Sequence, residues 1–149
     1  TSVTINDSDI GPLKFVLLNN AANFTPIDSE TLGQFYQELD GADYVILSQP
    51  LYHPLASLGK PVMGNVDGNP VPEMLSQAED ILEKIRESNV KAIIAGDQHS
   101  FGTNKDAKKD NLEHIYIGAI NGGSLGVDSI VLITIYDDDS YSVEQIKLD

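Results

Sequence analysis

Residues 90–101 read VKAIIAGDQHSF, and the rest of the chain takes its place relative to this stretch. The run from Lys91 to Ala95 is short, apolar and rich in Ile. It is too brief for a helix and bounded by polar residues, so it reads as a buried strand that ends at Gly96. Directly beyond stand Asp97 and His99, two residues apart. In extended backbone such residues project to one side. A carboxylate suits a hard divalent cation and an imidazole suits Zn, Mn or Fe, so the pair is a candidate metal site. The alternative is a turn aspartate beside a histidine that only bonds a nearby carbonyl.

Upstream, Ser2 to Ile5 and Leu13 to Leu18 read as a hairpin across the turn NDSDIGP. Between 28 and 40, Leu32, Phe35, Tyr36 and Leu39 fall on one helical face, with Asp28 or Ser29 as cap and Gly41 past the end. Residues 43–48, DYVILS, form a second buried strand. A long Gly- and Pro-rich stretch follows to about residue 71, and loops of that length in compact domains tend to be functional. A second helix spans about 72–88 on Met74, Ala78, Ile81, Leu82 and Ile85.

Downstream, residues 100–111 read as polar loop with Lys105, Lys108 and Lys109 solvated. Strands follow at 114–119 and 129–136, with a final antiparallel strand at 141–148. NGGSLGVD, between the first two, lacks the strand–loop–helix setting of a phosphate loop. This order implies one α/β domain, residues 1–149, with mixed β-sheets flanked by helices.

Composition narrows the functional classes. With 41% hydrophobic and 21% charged residues, the chain is expected to fold as a globular domain. Twenty-three acidic residues against nine basic give a net charge of −14, which repels nucleic acid and anionic lipid. No apolar run approaches a membrane span. A phosphorylated substrate would need a bound cation to reverse the local field. The absence of cysteine excludes disulfides and thiolate chemistry, and leaves cytoplasmic and secreted locations equally consistent.

Three segments, in order, resemble the C-terminal half of the calcineurin-like metallophosphoesterases: DYVILSQPLYHP, VKAIIAGDQH and HIYIGAINGGSLG with two closing strands. The resemblance implies half of a four-layer αββα sandwich. It also implies a pair of divalent metals, Mn, Zn, Fe or Ca, holding a hydroxide that hydrolyses a phosphoester. On this reading Gly96, Asp97, Gln98 and His99 stand where the family has Gly-His-x-His, so Asp97 and His99 are metal and catalytic candidates. The family's other C-terminal ligand histidine falls on Ser48, a poor ligand. His53 is a substitute candidate.

The N-terminal motifs of the family, Asp-x-His, Gly-Asp-x-x-Asp and Gly-Asn-His, have no counterpart here. The expected function is therefore the C-terminal part of a metal-dependent phosphoesterase acting on a small phosphorylated substrate. It would be incomplete alone, needing an N-terminal half or a second copy as partner. A non-catalytic binding or scaffold module is the alternative. A freestanding single-metal or nucleotide-binding α/β domain of the doubly wound kind is disfavoured by the strand-rich C-terminus and the missing phosphate loop.

Overall fold

A computed structural model describes residues 1–21, 25–58, 60, 62–66, 69–97, 101–117 and 128–148. Strands β1 (Ser2–Asp7) and β2 (Gly11–Leu18) form the expected antiparallel hairpin. Helix α1 (Ser29–Glu38) starts where Asp28 accepts the backbone N–H of Thr31 at 2.8 Å, an N-cap that satisfies an otherwise orphan donor. Strand β3 (Tyr44–Leu47) follows. The long connection holds a 3₁₀ turn (Ala56–Leu58) and a small hairpin of β4 (Asn65–Val66) with β5 (Asn69–Pro70).

Helix α2 (Pro72–Glu87) opens on a proline, which needs no N–H there, and ends with Lys84 and Arg86 in the turn where the helix dipole favours cations. It leads into β6 (Ala92–Ala95). Strand β7 (Gly102–Lys105) corrects the reading of 100–111 as loop. It pairs antiparallel with β8 (Glu113–Tyr116) and closes one edge of the sheet. The chain ends in the antiparallel ribbon of β9 (Ser129–Ile135) and β10 (Tyr141–Lys147).

The main sheet has six strands in the order β1-β2-β3-β6-β8-β7, and its middle pairs, β2-β3, β3-β6 and β6-β8, are parallel. Because the parallel strands advance in one direction, right-handed crossovers place both helices on the same face. Side-chain alternation then sorts the core. Val16, Leu18, Val45, Leu47, Ile93 and Ala95 pack with Phe35, Met74, Ile81 and Ile85 of the helices. Tyr44, Ala92, Ile94 and Ile115 face the other way, against Ile133, Ile135, Tyr141 and Val143 of the β9–β10 ribbon. The layers run helix, sheet, ribbon, so the expected mixed α/β class is met.

One group between sheet and ribbon is unpaired. Tyr44 stacks on Phe15 at 5.1 Å and meets Tyr141 edge-on at 5.9 Å, and its hydroxyl is buried without a hydrogen-bond partner. A buried, unsatisfied hydroxyl is a net cost. Tyr44→Phe is therefore expected to keep the ring contacts and raise the unfolding free energy by about 1 kcal/mol. Urea unfolding checks this, and a clear loss of stability would contradict it.

Candidate functional site

The parallel register aligns Leu18, Leu47, Ala95 and Tyr116 as the last residues of their strands. The segments past these strand ends therefore emerge at one rim, the edge where open α/β sheets bind ligands. The first residues past the ends of β2 and β3 are Asn19 and Ser48, and the Ser48 hydroxyl donates to Asn19 Oδ1 at 3.0 Å. One position further lie Asn20, Gln49 and Asp97, also joined side by side.

Asn20 is fully buried and grips the backbone of Gln49 twice. Its Oδ1 accepts from Gln49 N at 2.8 Å, and its Nδ2 donates to the Gln49 carbonyl at 2.8 Å. Beneath it sits the buried Met63, whose sulfur lies 3.7 Å from the same amide nitrogen. Gln49 in turn donates from Nε2 to Asp97 Oδ2 at 3.1 Å. The chain of contacts runs from the core outward to an exposed carboxylate. Beside it, Leu17, Leu18, Ile46 and Leu47 line a shallow groove of about 190 Å³ that reaches Asn19 and Ser48.

Asp97 has φ 64°, in the left-handed region. Non-glycine residues seldom adopt it, though Asp and Asn tolerate it best. This corrects the premise that extended backbone continues through Asp97. Gln98 and His99 lie outside the described residues.

Ser48 and His53 are both engaged locally. The Ser48 hydroxyl is used by Asn19, as above. His53 Nδ1 accepts the Leu55 N–H at 3.0 Å and its ring lies 4.6 Å from that of Tyr116. Burial, with Lys60 and His114 nearby, lowers its pKa and favours the neutral imidazole. Tyr116 also fixes this loop, donating its hydroxyl to the Tyr52 carbonyl at 3.0 Å.

Among the described residues no group of three or more His, Asp or Glu could hold a metal ion. The rim they form is one carboxylate among amides and a hydroxyl. Such a donor set does not fit a two-metal centre, which demands several anionic and imidazole ligands.

A second polar cluster escaped the sequence reading. Asp106, whose side chain is wholly buried, receives Arg86 in bidentate fashion at 2.9 and 2.8 Å and lies 2.8 Å from His114 Nε2. It also accepts the backbone N–H groups of Lys108 and Lys109. Arg86 reaches Glu83 as well. Lys108 is exposed, as expected, and pairs with Glu83, whereas Lys109 is half-buried and donates to the Ser88 carbonyl at the end of α2. This cluster fastens the β7–β8 turn to α2. Its buried carboxylate and guanidinium are paired with each other and with neighbouring groups of the chain, which marks it as structural.

No protein-family model and no curated protein matches the chain. Among solved structures, a double mutant of Vps29 from Entamoeba histolytica is similar at a TM-score of 0.32 and 18% identity, over 91% of this chain and 82% of that one. A likeness of that order carries no argument about the site. Among the described residues no helix is long and apolar enough to cross a membrane.

Proposed function

We propose that this chain is the C-terminal part of a metal-dependent phosphoesterase, contributing Asp97 and His99 to a metal shell that other residues, from an N-terminal half, complete. One observation carries the reading. The segment just past the end of the central strand β6 presents an exposed Asp97 carboxylate in a left-handed turn, steadied by Gln49 from just beyond the neighbouring strand β3. Backbone held in a sparsely populated region at a strand end is a feature of functional sites. When bound, divalent cations would supply Lewis acidity and a water of lowered pKa. The described residues hold and orient one carboxylate and no more, so no step of hydrolysis can be assigned to them alone.

The second reading is a non-catalytic scaffold. It is favoured by Ser48, which stands where the resemblance places an imidazole and spends its hydroxyl on Asn19. Titration calorimetry with Mn²⁺ and Zn²⁺ separates the two. The metal-shell reading expects weak binding that both Asp97→Asn and His99→Ala abolish, and no hydrolysis of a generic phosphodiester by the 149 residues alone. Heats that neither substitution changes would leave the scaffold standing. Turnover by the chain alone would refute its incompleteness.

A further inference from the structure

Both faces of the β9–β10 ribbon carry apolar side chains, and among the described residues only one face is packed against the main sheet. Odd-numbered residues Ile133, Ile135, Tyr141 and Val143 pack on the main sheet. The even-numbered face carries Ile130, Leu132, Tyr136, Ile146 and Leu148, each between 39% and 46% exposed. Ile130 lies directly across from Ile146, and Leu132 across from Glu144, while the polar pair Thr134 and Ser142 stands between these and Tyr136, so Ile130, Leu132, Ile146 and Leu148 form an apolar strip with Tyr136 at its far end beyond a polar row. Contiguous apolar strips with a polar rim mark interaction surfaces.

We propose that this strip docks an amphipathic helix of a partner protein, with a Leu, Ile or Val stripe flanked by Lys and Arg. The dimensions select a helix. Two strands about 5 Å apart, with their side chains, offer a surface about 10 Å wide, which one helix of about 10–12 Å diameter covers. Seven-residue strands run about 23 Å, the length of about 15 helical residues. A partner sheet would overhang the ribbon.

Charge selects the flanks. Residues 128–148 hold five acidic residues and one lysine. Glu144 stands within the strip, Asp128 at one end, and Asp137 and Asp138 at the other. Lys147 pairs with Ser129 and so belongs to the opposite face. A second copy of this chain is a poor occupant, since it would bring Glu144 and the same acidic ends onto their like, with a net charge of −14 on each copy.

The test is fluorescence titration with a labelled 18-residue helical peptide of Leu and Lys, beside a counterpart in which Glu replaces every Lys. The inference expects saturable binding of the Lys peptide and binding at least about tenfold weaker for the Glu peptide. Leu132→Asn and Ile146→Thr should each weaken the Lys peptide about tenfold, the effect of losing one central apolar anchor. Methyl chemical shifts of Ile130 and Ile146 should move, and the melting temperature of each variant should stay near wild type. No binding, or binding indifferent to both substitutions, would overturn it. So would a dimer in sedimentation that Leu132→Asn dissolves, because the occupant would then be a second copy.

Discussion

Asp106→Ala is expected to lower the unfolding free energy by about 3–5 kcal/mol, because it removes the centre of a buried ionic network and leaves Arg86 short of a counter-charge. The side chain of Arg86 is only 9% exposed and that of Asp106 is not exposed at all. Loss of the carboxylate also strands the Nε2–H of His114 and two backbone donors, each a further desolvation cost. Urea denaturation measures the effect. Asp106→Asn, which keeps the shape and part of the hydrogen bonding, should fall between the two. A loss below about 1 kcal/mol for Asp106→Ala, the size of an ordinary surface ion pair, would refute the account.

The same cluster contributes to the acid limb of stability. Burial pushes the pKa of His114 below its ordinary 6.5, more strongly than Asp106 pulls it up. The unfolded chain therefore takes up a proton that the folded chain refuses, and stability drops as pH falls below about 6.5. Burial alone would raise the pKa of Asp106, but hydrogen bonds from Arg86 and His114 outweigh it and hold the carboxyl well below 3.8. A second loss sets in below that pH, and it should be smaller in Asp106→Ala, where only the other paired carboxylates contribute. Unfolding curves between pH 7 and pH 3 check both steps.

Gly64→Ala is the other large effect. Gly64 has φ +83°, and a Cβ there would lie 2.6 Å from Leu75 N and 2.9 Å from Met74 C. These are backbone atoms of the first turns of α2 and cannot swing aside. The substitution combines left-handed strain with a clash against a helix, for an expected loss of about 2–4 kcal/mol. Gly41 is the control. Its φ is +67° but a Cβ there meets nothing within 4 Å, so Gly41→Ala should cost only the dihedral strain, about 1–2 kcal/mol. Equal losses at the two sites would refute the steric part.

Elements that bury a periodic face were legible. Phe35 and Leu39 in and after α1, and Met74, Ala78, Ile81, Leu82 and Ile85 in α2, are the buried residues their spacing marks. The four-residue cores of β3 and β6 read correctly because a strand covered on both faces is apolar throughout. Strand β7 did not, since GTNK is a polar edge strand paired on one side only, and nothing apolar announces it. Asp106 was hidden for a different reason. Its partners Arg86 and His114 are brought to it by the docking of the β7–β8 turn on α2, which no local spacing encodes. At the rim, Asp97 was visible as a strand-end carboxylate. The amides of Asn20 and Gln49 were not, because neither residue type signals a site until register places them side by side.

Asn20 holds Gln49 by its peptide N–H and carbonyl. That hold on the chain at position 49 uses only the peptide group, which any residue but proline offers. Shape and chemistry are separable there. Exchange of that one residue, for a histidine among others, can change what the rim recognises without re-forming the scaffold beneath, a freedom open to evolution and to engineering alike.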